Sequence, residues 1–206
     1  MKLLALTGSH GKADSGSTAA EFALVLPLLL LFLLGTIDAG RLIWTWNEAE
    51  KATQMGARMA VVTDMVPNGL YTQDYSATLG QGKVVPLSSF GAATCTKPGG
   101  TVTCSCKTAP CPTLTPINTT AFNAVVTRMK YFLPLLQASN VRIDYDNSGL
   151  GYSGDPNGPD VAPIVTVRIQ GMRFYPLIGA LLGANFPMPE FHADLTLEDG
   201  LGNFSN

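Results

Sequence analysis

Four cysteines form the densest group of reactive side chains in this chain of 206 residues. They lie within seventeen residues, at Cys95, Cys104, Cys106 and Cys111. An even number of cysteines at short spacing predicts disulfides, and four cysteines allow three pairings. The most local pairing joins Cys95 to Cys104, across the turn at 97–100, and Cys106 to Cys111. Zinc is the competing interpretation, but it is disfavoured because there is no nearby histidine and no CxxC pair. We therefore expect two disulfides and an oxidising compartment.

A second group of side chains has the spacing of a cation site. Asp144, Asp146, Ser148 and Asp155 occupy positions one, three, five and twelve of a segment that has Gly149 at six, which is the pattern of a calcium loop. Position twelve is Asp where a bidentate Glu is usual, and the flanking residues alternate as strands do. A solvated turn between two strands is therefore favoured, with calcium as the alternative. No other metal and no cofactor is expected.

Groups that could catalyse a reaction are sparse. The chain has two histidines, His10 near the N-terminus and His192 beside a predicted strand, and no serine or cysteine stands in a recognisable nucleophile turn. Thirteen basic and fifteen acidic residues give a net charge of −2, with the two signs mixed along the chain. A nucleic-acid partner would call for a basic patch. We expect neither an enzyme nor a nucleic-acid binder.

The element that precedes these groups is a long apolar segment. Residues Phe22–Ile37 include no charged side chain, and Glu21 and Asp38 stand at the two edges. A bilayer span needs about 20 mostly apolar residues, with a lower limit near 17, and the flanking residues extend the run to about 22–43. A buried core helix is the alternative. Seven leucines between positions 26 and 34 and no polar face favour a membrane helix instead.

The helical pattern continues beyond the apolar run. Small and apolar residues recur at spacings of three and four, while charged residues lie off this stripe; its members are Leu42, Trp46, Ala49, Thr53, Gly56 and Ala60. Such a stripe would let a neighbouring helix or domain approach closely. Trp44 and Trp46 stand where an interfacial aromatic belt is expected, and Pro27 predicts a kink. We expect one helix over about 17–64, ended by the turn at 67–69.

The remaining residues, 65–206, predict a small α+β domain. A cysteine-bearing loop region spans 91–117, with a short strand at Thr101–Thr103. A helix is predicted over Asn118–Gln137, capped by Thr119 or Thr120. Alternating residues predict strands at 141–145, 161–169 and 193–197, and a short helix starts at Pro176. The expected fold class is α+β: a long N-terminal helix, transmembrane in its first half, followed by a domain with a short antiparallel sheet and one or two helices.

A motif stands at the head of the apolar helix. Gly16 is followed five residues later by Glu21, which resembles the type IV prepilin pattern. The stretch Glu-Phe-Ala-Leu-Val-Leu-Pro at 21–27 and Gly-Ala-Arg-Met-Ala at 56–60 are similar to the TadE-like family of tight-adherence pilus systems. The later order of strand, Tyr-Pro-Leu at 175–177, leucine-rich helix and final strand is similar too. The resemblance covers 16–63 closely and 161–198 loosely, and 65–160 lie outside it.

The resemblance implies a minor pseudopilin. A prepilin peptidase would cut between Gly16 and Ser17, which makes residues 1–16 a leader peptide. The implied partners are the membrane, that peptidase, other pilins or pseudopilins and the pilus assembly platform. In type IV pilins the corresponding glutamate is thought to pair with a neighbouring subunit's amino terminus, which implies an assembly and register role for Glu21. The alternative is a helix-start charge just outside the hydrocarbon.

Two features bear on orientation. Lys2 and Lys12 precede the span and the cysteines follow it. The positive-inside rule and the need for an oxidising compartment both favour a cytoplasmic N-terminus. We expect a single-pass inner-membrane protein with a periplasmic or extracellular C-terminal domain. The competing function class is a membrane-tethered binding or adhesin domain that never enters a filament.

Overall fold

The computed structural model describes residues 14–156 and 158–197, with the side chains at 14–17 and 180–182 outside that description. A long first helix is followed by shorter helices and by strands. The helices are α1 (Asp14–Val61), α2 (Asn68–Tyr71), α3 (Ser76–Leu79), α4 (Thr119–Lys130) and α5 (Leu177–Leu182). The strands are β1 (Ala92–Thr96), β2 (Thr103–Thr108), β3 (Val141–Asp146), β4 (Ile164–Ile169), β5 (Arg173–Phe174), β6 (Phe186–Pro187) and β7 (Phe191–Thr196).

Helix α1 is continuous over 48 residues. It begins and ends within three residues of the expected bounds and passes through Pro27. Its first part is rich in helix-forming leucines and alanines, and its second part carries the stripe of small residues. The apolar run and the stripe of small residues therefore belong to one continuous helix.

Five strands form one antiparallel sheet in the order β2-β1-β3-β4-β7. Strand β3 lies in the middle, where Tyr145 faces Val165 of β4 across one ladder and Ala93 of β1 across the other. Buried apolar residues of the two central strands, such as Tyr145 and Val165, belong to the hydrophobic core. This confirms the α+β class and its antiparallel sheet; β5 and β6 form a separate two-stranded pair.

The core lies between this sheet, α4 and the second part of α1. Ala49, Ala52 and Ala57 are completely buried. The sequence stripe therefore indicates the buried face correctly from Ala49 onward but omits two alanines, and its first two members, Leu42 and Trp46, are exposed. A Cβ added at Gly56 would lie 2.7 Å from Cγ of Met129 on α4 and 3.2 Å from Cγ1 of Val167 on β4. The small residues thus allow close approach of the chain's own sheet and helix, which occupy this face of α1.

Three local predictions are wrong in their bounds or caps. Helix α4 ends at Lys130 rather than Gln137, because Pro134 disfavours helical geometry at the residue before it and cannot donate a helical hydrogen bond. Its cap is Asn118, whose side-chain oxygen accepts a hydrogen bond from the Ala121 N–H at 3.0 Å. The strand expected at Thr101–Thr103 begins only at Thr103, after a short 3-10 turn.

The chain divides into two compact units. Of the described residues, one unit contains 14–42 together with Tyr175–Asn185, and the other contains the residues from Ile43 to Phe174 and 186–197. The first unit therefore pairs the apolar part of α1 with α5. The second holds the five-stranded sheet, α4 and the buried core.

Candidate membrane helix and assembly site

The apolar part of α1 is exposed on the surface of the protein. Leu24, Leu28 and Phe32 are 79%, 70% and 71% accessible. The helix Thr18–Val61 contains an 18-residue window with a mean hydropathy of 2.3, none of it buried. A core helix would hide such residues, so the core-helix alternative does not fit. Its length and composition suggest a single-pass membrane protein.

The polar groups of this helix stand mainly at its edges. Thr36, inside the apolar run, donates its hydroxyl to the Leu33 carbonyl at 2.8 Å, which satisfies the hydroxyl without water. Glu21 is exposed on α1. The backbone at Gly16 and Ser17 lies within α1, while His10 and residues 1–13 lie outside the described residues. Cleavage between Gly16 and Ser17 and the register role of Glu21 stay predictions.

At the far edge of the run, Asp38 caps another helix. Its carboxylate oxygens accept hydrogen bonds from the backbone N–H groups of Leu177 at 2.8 Å and Ile178 at 3.0 Å. These are the first two residues of α5, whose preceding residue, Pro176, supplies no side-chain acceptor. Arg41 donates to the same carboxylate at 3.0 Å. Asp38 is 7% exposed, so this carboxylate is buried and has three donors.

Sequence reasoning identified Asp38 only as a boundary charge. A helix leaves its first N–H groups without partners, and a start at Pro176 without Ser, Thr, Asp or Asn nearby requires an acceptor from elsewhere. That missing cap is the signal that could have pointed to a distant carboxylate. It would not have identified which one.

Beyond the apolar run, two tryptophans are anchored on α1 itself. The indole N–H of Trp44 donates to Glu48 at 2.6 Å, and that of Trp46 donates to Glu50 at 2.7 Å. The Trp46 ring also meets the Phe191 ring edge-on, with centroids 5.1 Å apart. Satisfied polar tips on large apolar rings are typical of residues at a membrane–water interface.

The cysteines form the two disulfides that their spacing favoured. Cys95 pairs with Cys104 and Cys106 with Cys111. The first bridge joins directly opposed residues of β1 and β2, and Cys95 is completely buried. The second ties β2 to the loop that follows it. Both cross-links therefore brace the β1–β2 edge of the sheet.

The calcium candidates serve other purposes. Asp144 lies on β3 with its side chain fully buried, and it binds Arg142 at 2.8 Å and Arg168 at 3.0 Å. Asp146 is paired with Lys107 at 3.1 Å. Ser148 donates its hydroxyl to the Ala162 carbonyl, and Asp155 donates its backbone N–H to Asp160 at 3.2 Å. A carboxylate held by two arginines does not suit a calcium ligand, so these residues do not fit a calcium loop.

The buried Asp144 has a shifted acidity. Burial raises the pKa of its carboxyl. Hydrogen bonds from Thr94 and Arg142 and the charges of Arg142 and Lys107 lower this pKa by more than burial raises it. The net pKa lies below the ordinary value of an aspartate. Asp144 is therefore ionised at neutral pH and acts as the anion at the centre of a cationic cluster on the sheet.

His192 lies at the edge of a pocket of about 270 Å³ that Trp46, Glu50 and Phe191 also line. The hydroxyl of Thr53 in the same pocket donates to the Glu50 carbonyl of its own helix at 2.7 Å. That hydroxyl is therefore engaged in the helix rather than held by a base.

Comparison with known protein families gives a match over α1. Residues 16–58 match the family model described as "TadE-like protein". No curated protein and no solved structure matches the chain significantly. The matched range runs along α1 from the glycine motif to Arg58 and includes none of the sheet. It confirms the suspected family resemblance over α1 and supports an association with tight-adherence pilus systems in general.

Proposed function

From the match of residues 16–58 to the TadE-like family model, we propose that this protein is a minor pseudopilin of a tight-adherence type IV pilus. A prepilin peptidase removes residues 1–16, and α1 then anchors the chain in the inner membrane. The sheet domain faces the periplasm or the exterior. The work of the protein is association with other pilins and the assembly platform, without catalysis.

One observation carries this proposal: the family match coincides with a helix that has the form a pilin-like anchor requires. The matched range starts at Gly16, includes Glu21 five residues later, and continues into an apolar helix whose leucines are exposed. An exposed apolar helix needs lipid or other helices around it. A pseudopilin offers both, lipid before assembly and neighbouring helices afterwards.

Glu21 has a physical reason to matter in such an assembly. A carboxylate near the hydrocarbon costs a few kcal/mol and usually has a cationic partner. After cleavage the amino group of Ser17 would be such a cation, on the same chain or a neighbouring one. Pairing between chains would set their axial register.

The experiment is mass spectrometry of the mature N-terminus, in cells with and without the co-occurring prepilin peptidase. The proposal expects a chain that begins at Ser17 when the peptidase is present and an uncut leader when it is absent. Gly16→Leu in the presence of the peptidase is a matched control and should remain uncut. An intact N-terminus in all strains would contradict the proposal and favour a membrane-tethered binding or adhesin domain instead.

A further inference from the structure

We propose that α5 and the residue before its cap, Tyr175, form a membrane-interface anchor, with the headgroup and upper acyl region of the bilayer as its partner. This inference rests on the proposed membrane insertion of α1. It goes beyond that proposal because it assigns a second segment, distant in sequence, to the lipid surface. It also assigns Asp38 the role of holding that segment in place.

The position of α5 on α1 is the first step. A Cβ added at Gly35 would lie 3.9 Å from Cδ1 of Ile178, and Asp38 caps Leu177 and Ile178. Gly35 belongs to the uncharged run and Asp38 follows it directly. Helix α5 is therefore docked at the very end of the segment that would cross the bilayer.

The length of the run places this end at the lipid boundary. Sixteen uncharged residues, Phe22–Ile37, extend about 24 Å as a helix, whereas the hydrocarbon core is about 30 Å thick. Asp38 and the start of α5, which packs on it, thus lie at or just inside the edge of the hydrocarbon. An acid at that depth needs its partners within the protein, and Asp38 has them in Arg41 and two backbone N–H groups.

The chemistry of the segment suits the same location. The chain carries no charge from Phe174 to Pro189, a stretch bounded by Arg173 and Glu190. Within it, Tyr175 is 63% exposed and Leu177 is 43% exposed. Tyrosine is enriched at membrane–water interfaces, and short apolar elements bind there by burying side chains among the lipid headgroups and upper acyl chains. The exposed Tyr175 and Leu177 therefore belong to a segment that is docked at the end of the exposed apolar run of α1.

The test uses an environment-sensitive fluorophore on a single introduced cysteine. All four native cysteines are in disulfides, so an added thiol is the site that reacts. The full-length protein carries Leu177→Cys, or Tyr175→Cys as a second reporter, in vesicles of phosphatidylglycerol and phosphatidylethanolamine. Leu28→Cys reports on α1, and Leu150→Cys, at an exposed leucine of the β3–β4 loop, is the control. Quenchers are lipids with a spin label at a shallow or a deep acyl position.

The proposal expects the labels at 177 and 175 to be quenched by the shallow lipid, at least about twofold more than the label at 150. The label at 28 should be quenched by the deep lipid. If 28 is quenched while 175 and 177 behave like 150, the interface anchor is overturned and the α1 span stands. If 28 is not quenched either, the membrane span fails and this inference fails with it.

Discussion

The carboxylate of Asp38 and the backbone N–H of Leu177, 139 residues apart in the chain, are joined by a hydrogen bond of 2.8 Å. The bond links the end of the apolar run to a helix that has no cap of its own. It lies within the first compact unit, which contains the described residues 14–42 and Tyr175–Asn185.

Replacing Asp38 by alanine should loosen α5. The substitution removes the acceptor of two backbone hydrogen bonds, which should lower the local free energy of opening by about 2 kcal/mol. Hydrogen exchange of the full-length protein in nanodiscs would then be faster at Leu177 and Ile178. Asp38→Asn keeps one side-chain acceptor, so its exchange rate at Leu177 and Ile178 should lie between those of wild type and Asp38→Ala. Glu48→Ala, which removes an acid bonded to Trp44 on the same helix, should leave exchange at α5 unchanged; equal protection in wild type and Asp38→Ala would contradict the capping role.

Replacing Glu21 by alanine should impair pilus assembly without releasing the protein from the membrane. The apolar run that holds α1 in lipid is untouched, whereas the acidic partner for a neighbouring amino terminus is lost. Piliation and membrane fractionation are the two measurements. Glu50→Ala, at an acid farther along α1, is the matched control and should assemble normally. Wild-type piliation by Glu21→Ala would exclude the register role.

The two disulfides should differ in their contribution to stability. Replacing Cys95 and Cys104 together by serine should lower the free energy of unfolding by about 2–4 kcal/mol, because this bridge joins opposed strand residues and includes a fully buried sulfur. The pair Cys106 and Cys111 is exposed and closes a shorter loop, so its loss should cost about 1–2 kcal/mol. Urea unfolding in detergent, followed by tryptophan fluorescence, measures both. A larger loss for the second pair would show that the buried bridge is not the main brace of this edge.

Asp144 should make stability depend on pH in the acid range. Its folded pKa is lowered, so the stabilisation is fully present above the unfolded pKa of about 3.9 and is lost as pH falls through the folded pKa. Asp144→Asn should therefore be less stable than wild type by about 2–4 kcal/mol at pH 7. The deficit should shrink as the pH is taken below about 4.

The matched control for that experiment is Asp146→Asn. Asp146 is paired with Lys107 on the surface, and an exposed pair contributes about 0–1 kcal/mol. Urea unfolding at neutral and acidic pH would compare the two variants. A deficit of Asp144→Asn that is the same at every pH would mean that packing, rather than the ionised carboxylate, is what the substitution removes.

Much of the fold could be predicted because its causes are local. Leucines in an uncharged run specify an exposed apolar helix, and apolar residues at alternate sequence positions mark β3 and β4. Cysteines nine and five residues apart can reach each other wherever the rest of the chain lies. The end of α4 was misplaced because the apolar residues Phe132 and Leu133 continue the helical spacing, although Pro134 disfavours helix at that point.

The roles of individual acids were not predictable in the same way. The spacing of Asp144, Asp146 and Asp155 matched a calcium loop, but Asp144 meets Arg168 from a neighbouring strand across the sheet. The stripe on α1 indicated a close neighbour without saying which one, and Met129 and Val167 of the same chain occupy it.

What the sequence by itself determined was the anchor: an uncharged apolar run with Gly16 and Glu21 at its head, followed by a helix that continues into a disulfide-braced α+β domain. Those features follow from hydrophobic periodicity and short spacings, which act between residues close in the chain. Only the tertiary structure decided that Asp38 caps α5 and that Asp144 neutralises a cluster of cations. A carboxylate accepts a hydrogen bond from whichever donor the fold brings within about 3 Å, and residues far apart in sequence leave no local pattern that announces their meeting.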